Sequence, residues 1–104
     1  KTTWNDCGGI YNVSVPKVNM AAPPLQWQTY DATFYAPRFD EAGNKIKEAS
    51  VTVIHNGVLI QEDVAIPEPT TANIGGDIRE AQGLHLQDHG NPVQYRNIWA
   101  VELD

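Results

Sequence analysis

The sequence is poor in cysteine, in basic side chains and in long apolar runs, and each shortage removes a class of explanation. Its one cysteine, Cys7, excludes an internal disulfide and a thiolate metal cluster built from this chain alone. Cys7 lies in Asp6-Cys7-Gly8-Gly9, beside a carboxylate rather than a cation, which is the setting of a structural thiol more than of a nucleophile. Pairing with a cysteine outside the chain stays open. Seven Lys and Arg stand against thirteen Asp and Glu, for a formal charge of −6. That balance repels phosphate backbones and anionic lipid, so neither nucleic acid nor a membrane is an expected partner. No apolar run approaches the roughly 20 residues of a membrane helix, and Lys1-Thr2-Thr3-Trp4 has none of the blocks of a signal peptide. The expectation is a soluble chain whose export signal, if any, lies elsewhere. A sustained 3.6-residue apolar period is also missing, and the best helix candidate, residues 77–82, is too short to hold alone.

What is present reads as β structure. Hydrophobic residues make up 41% of the chain and charged ones 19%, a composition able to form a core. Without repeats, low-complexity tracts or long linkers, residues 1–104 read as a single domain. Turn formers recur at Gly8-Gly9, Pro16, Pro23-Pro24, Pro37, Gly43, Asn56-Gly57, Pro67, Pro69, Gly75-Gly76 and Gly90-Asn91-Pro92, leaving only short segments between them. Residues 10–15, 27–35, 51–55 and 58–60 are rich in β-branched and aromatic side chains and are predicted strands. Asn56-Gly57, set between two of them, predicts a two-residue type I′ hairpin, because both turn positions need φ > 0. Residues 84–89 and 93–103 predict a second antiparallel pair around Gly90-Asn91-Pro92. Alternation in the latter puts Val93, Tyr95, Asn97, Trp99, Val101 and Leu103 on an inward face, opposite Gln94, Arg96, Ile98, Ala100 and Glu102.

The run from Leu84 through His85, Gln87, Asp88, His89, Gly90-Asn91-Pro92, Tyr95, Arg96 and Asn97 to Trp99 resembles the C-terminal signature of the 3-keto-disaccharide hydrolase domains. Cys7-Gly8-Gly9-Ile10-Tyr11, Trp27-Gln28-Thr29-Tyr30 with Ala36-Pro37-Arg38-Phe39-Asp40, and Val51-Thr52-Val53-Ile54-His55-Asn56-Gly57 resemble the same family in order. The resemblance implies an all-β fold, a concanavalin A-like jelly-roll β-sandwich of antiparallel sheets with a concave sugar-binding face. It also implies a secreted or periplasmic setting and a carbohydrate ligand. Domains of that family run to roughly 200 residues, a common size for two-sheet β domains. On that comparison the chain matches a C-terminal half, and a second chain or homo-oligomer is expected to complete the sandwich.

Site candidates carry two readings each. His85 and His89 are i and i+4, but on a strand of ~3.3 Å per residue they stand about 13 Å apart, so no shared metal is expected. His89, before the turn, reads as a general acid or base or as a histidine bonded to a turn carbonyl. Arg96 reads as an oxyanion stabiliser or as half of a salt bridge, and Gln87 as a sugar contact or a solvated strand residue. Tyr11, Trp27 and His55 are the substrate-binding candidates, with Trp4 behind them. The bland alternatives are core or rim aromatics for the rings and a structural histidine before the turn. Asp88 reads as a capping carboxylate, and the acids at residues 40–41, 62–63 and 68 as solvated turn residues.

Ordinary glycoside hydrolysis needs two carboxylates flanking the bond, and no strand here offers such a pair. The resemblance implies another route. A C3 ketone acidifies the C2 hydrogen, the glycosidic oxygen leaves by elimination, and water adds afterwards. One base and an oxyanion stabiliser suffice: His89 with Arg96 and Gln87, and no cofactor. A non-catalytic lectin-like module, or a structural fragment completing another chain, are the rival readings.

Overall fold

The computed structural model describes residues 2–70, 73, 75–87 and 90–103. Its best-determined feature by sequence is the hairpin at Asn56-Gly57, where both residues take positive φ, 50° and 81°, as a type I′ turn requires. The turn joins β4 (Ala49–His55) to β5 (Val58–Ile66), with His55 paired to Val58 at its mouth. On the other side of β4 lies β1 (Tyr30–Tyr35), antiparallel, in register from Tyr30 opposite His55 to Tyr35 opposite Ser50. The three-stranded sheet therefore runs β1-β4-β5 with β4 in the centre. β2 (Arg38–Phe39) and β3 (Lys45–Lys47) form a separate antiparallel ribbon. Its turn is closed by the Asp40 carboxylate, which accepts the Asn44 N–H at 2.8 Å and is held below its ordinary pKa chiefly by that bond. Among the described residues there is no helix. The fold is all-β with antiparallel sheets, as the segment lengths predict.

The β4–β5 ladder slips twice, between Val51 and Val53 and between Val53 and Ile54. β5 thus spends nine residues against the seven of β4. One irregularity is marked by Asp63, whose φ is 43° and whose N–H is taken by Thr52 Oγ1 at 2.9 Å. The acids at 62–63 accordingly belong to a bulged strand and not to a turn. The slips re-aim side chains, as bulges do. Ile60 and Gln61 are successive residues that a regular pleat would send to opposite faces, yet both are fully buried. Gln61 donates to the Gly8 carbonyl at 2.9 Å and accepts from Ser14 Oγ at 2.7 Å, and Ile60 Cδ1 lies against Gly8. The bulged strand is how the N-terminal segment is fastened to the sheet, with Lys17 N–H adding a bond to the Ile60 carbonyl at 2.8 Å.

Two sequence expectations fail. Residues 10–15 are not a strand: Asn12 takes φ 59°, and Ile10 and Ser14 pair with each other in a tight fold-back. Asn tolerates the left-handed region and here it reverses the chain. The expected pair of strands at 84–89 and 93–103 is likewise absent among the described residues, which carry no strand after β5. Asn97, at φ 54°, breaks the extended run that the alternation suggested, and no neighbouring strand offers a ladder. Strand propensity is realised only on a partner. The presumed inward face is therefore outward: Val93, Tyr95, Trp99, Val101 and Leu103 are all about half exposed or more.

The consequence is a thin core. Among the described residues Ala49 and Ile60 are the buried hydrophobic side chains, and Pro16 is buried as well. The chain exposes 8333 Å², whereas a folded monomer of 11.5 kDa is expected to expose only ~5,800 Å².

Candidate functional site

One end of the three-stranded sheet is joined to the 20–29 loop by a polar knot. Asn56 turns the hairpin and bonds back to the loop repeatedly: its N–H to Thr29 O at 2.9 Å, its Oδ1 from Thr29 N–H at 3.0 Å, and its Nδ2 to Met20 O at 2.6 Å. Gln28 Oε1 accepts the Ala22 N–H at 2.9 Å and meets His55 Nε2 at 2.9 Å, with Asn56 Nδ2 at 3.4 Å. The residue before Gln28 is Trp27, half exposed, and the Arg96 guanidinium lies 3.8 Å from the centre of its ring. At that distance and exposure the cation–π contact stabilises by ~0.5–1 kcal/mol. Two residues 69 positions apart, read separately as a ring for stacking and a donor for an oxyanion, thus meet on one surface.

His55 is not on that surface. It is fully buried, with the Tyr30 ring stacked on it at 4.3 Å and nearly parallel. It has no exposed area for a sugar, so the structure places it as a support beneath the loop and not as a contact residue. Tyr30 extends to Cys7, its hydroxyl 3.2 Å from Sγ, and desolvation followed by this bond pushes the phenol well above its ordinary pKa. Cys7 is thus tied to the sheet through Tyr30. Tyr11 packs edge-on against Trp4, ring centres 6.0 Å apart, as part of the N-terminal fold-back. Gln87 accepts the Tyr95 hydroxyl on its backbone carbonyl at 2.8 Å, and its side chain is exposed. His89 and Asp88 lie outside the described residues. Sequence reasoning found Trp27 and Arg96 but missed Gln28, Asn56 and Tyr30 as the frame beneath them. Asn56 signalled only a turn, and no local pattern reports contacts across 27 residues. Among the described residues no group of three His, Cys, Asp or Glu side chains could hold a metal ion.

A model of the 3-keto-alpha-glucoside-1,2-lyase-like domain matches residues 1–101. The chain belongs to this family. The crystal structure of a putative glycosyl hydrolase from Parabacteroides distasonis ATCC 8503 is similar at 32% sequence identity and a TM-score of 0.54, over 66% of this chain and 29% of that one. The matched part therefore spans less than a third of the length of that structure. No curated protein matches it. Family membership and this neighbour agree with an antiparallel β-sandwich of the glycosyl hydrolase-like kind.

Proposed function

We propose that this lyase-like domain contributes to cleavage of 3-keto-glycosides, with Trp27 and Arg96 as its sugar-facing pair. The observation that carries the reading is the Arg96 guanidinium seated on the Trp27 ring. Trp27 remains half exposed, which leaves indole surface for the apolar face of a pyranose, while Arg96, over the ring, brings N–H donors for a carbonyl or an enolate oxygen. In the reaction a base removes the C2 proton, and the electron pair passes through the enolate of the C3 ketone. The C1–O bond then breaks, releasing the aglycone as an alcohol and leaving a C1=C2 enone, to which water adds. Arg96 stabilises the enolate oxygen, Gln87 is a second polar contact, and His89 is the base. Tyr11, packed edge-on against Trp4, is a further candidate contact for a sugar ring. The same reading places the protein outside the cytoplasm, where polymeric glycosides are met.

Turnover of a 3-keto-disaccharide by the complete protein in D₂O tests this. Deuterium should appear at C2 of the released 3-keto-sugar, because elimination and readdition pass through a carbon acid. Cleavage with C2 still fully protiated would exclude the elimination route. Sugar binding without cleavage would establish the lectin-like alternative instead.

The partner belongs to the proposal as well. The surface excess of ~2,500 Å² exceeds the ~800 Å² that each side of a standard stable interface buries, so the chain has ample surface for a further polypeptide segment to cover its exposed apolar residues. Light scattering of this chain alone should accordingly give oligomers or aggregates. A monodisperse monomer with a cooperative thermal transition would remove the need for a partner.

A further inference from the structure

We propose that His55 is a positioning residue and a pH sensor for the Trp27 surface: as a neutral imidazole it pins the 20–29 loop, and its protonation releases that loop and the Trp27–Arg96 stack. The ligand-binding consequence rests on the reading of Trp27 and Arg96 given above, whereas the sensor itself does not.

The tautomer follows from the knot. Gln28 Oε1 already accepts the Ala22 N–H at 2.9 Å, so this atom is the oxygen of the amide, and His55 Nε2, 2.9 Å away, must donate to it. Nδ1 then carries only a lone pair. It is buried and has no hydrogen-bond partner among the described residues. A lone pair without a partner is tolerable there, but an N–H⁺ would be an unpaired buried donor and an uncompensated charge. The groups that face the ring are few. From β1 comes Tyr30, stacked on it and bonded to Cys7; from the N-terminal segment comes Gly8, whose added Cβ would stand 3.9 Å from Nδ1. β5 contributes Ile60, which lies against that same glycine beside Gln61, and the loop contributes Gln28. Tyr30 and Cys7 are the titratable groups among these, and neither brings a carboxylate to balance an imidazolium.

Burial accordingly lowers the His55 pKa from its ordinary 6.5. The unfolded or released chain binds the proton more readily than the folded one, so the pinned loop is fully favoured above pH 6.5 and is lost as the pH falls through the lower folded value. The imidazolium keeps its Nε2–H toward Gln28, so what protonation forces is displacement of the ring from its buried seat, where Nδ1–H has no acceptor among the described residues. Gln28 moves with the ring and adjoins Trp27, so the displacement reaches the binding surface. Trp27 moves with the loop, and Arg96 loses its seat.

The experiment is an acid titration of the complete protein without sugar. Imidazole ¹⁵N resonances report on His55, and fluorescence reports on Trp27 in a background where every other Trp, Trp4 and Trp99 among them, is replaced by Phe. At neutral pH the resonances should show the Nε2–H tautomer, and both probes should change in one step with a midpoint below 6.5. His55→Gln should abolish the step while keeping a donor toward Gln28. Should that variant fail to fold, Gln28→Glu decides the matter. It keeps the acceptor for Ala22 and places a carboxylate on the imidazolium, so the midpoint should rise by about one unit or more. A step that persists in His55→Gln, or a midpoint that Gln28→Glu leaves unmoved, would overturn the proposal. Methyl 3-keto-α-glucoside is then added at about pH 7.5 and at a pH below the observed midpoint, and should bind only at the higher value. If the step occurs as described and this probe binds at neither pH, the sensor stands and the sugar-site reading falls.

Discussion

Gly9→Ala is expected to destabilise the chain by about 3 kcal/mol or more, the most disruptive single methyl group the N-terminal segment could receive. A Cβ at Gly9 would stand 2.0 Å from the Trp4 carbonyl oxygen and 2.5 Å from its carbon, with the Asp6 oxygen at 3.0 Å. All three obstacles are backbone, so no rotamer change relieves the clash and the turn must open. Opening it removes the Gly9 N–H bond to Asp6 O at 2.8 Å and the Asp6 N–H bond to Thr3 O at 3.2 Å. It also displaces Gly8, which caps Ile60 and receives Gln61. Gly57→Val makes the contrast. Nothing lies within 4 Å of a Cβ there, so the cost is only that of holding a β-branched residue at φ 81°, about 1–2 kcal/mol. Thermal melts of the two variants in the complete protein should therefore rank Gly9→Ala well below Gly57→Val, at roughly 2–4 °C per kcal/mol for a domain of ~200 residues. Equal transitions would mean that the 3–9 turn yields more easily than its geometry implies.

That ranking also shows which parts of the molecule can be read from sequence. The β4–β5 hairpin was legible because its determinants are local: two residues that tolerate positive φ between two β-branched runs. The bulges in β5 were not, since they follow from the need of Ile60 and Gln61 to reach Gly8, a contact across more than fifty positions. Residues 93–103 alternate as a strand should, yet alternation specifies a face without supplying the ladder, and the segment stays unpaired around Asn97. The site divides in the same way. Trp27 and Arg96 were recognisable as chemistry-bearing types, whereas their meeting was not, and His55 was legible as a histidine before a turn but not as the buried anchor of Gln28. Residue type survives in one dimension; burial and tautomer belong to the packed chain.

Replacement of His89 by Gln in the complete protein is expected to lower turnover of a 3-keto-disaccharide by on the order of 10²–10⁴, the usual contribution of one acid–base group. Folding and sugar binding should persist, because the proton is transferred only in the transition state. Arg96→Lys should also slow the reaction, by a different cause. The ammonium keeps the charge, but it lacks the planar fork by which a guanidinium 3.8 Å over the Trp27 ring can also present two parallel donors to an enolate oxygen. If Arg96 acts on the enolate, kcat falls while KM changes little, since the oxyanion exists only beyond the ground state. If it merely braces Trp27 for binding, KM rises and kcat is preserved. The two substitutions therefore separate base, oxyanion stabiliser and platform. A folded His89→Gln protein with unchanged turnover removes His89 from the mechanism, and Arg96→Lys with a raised KM alone reduces Arg96 to a support for the ring.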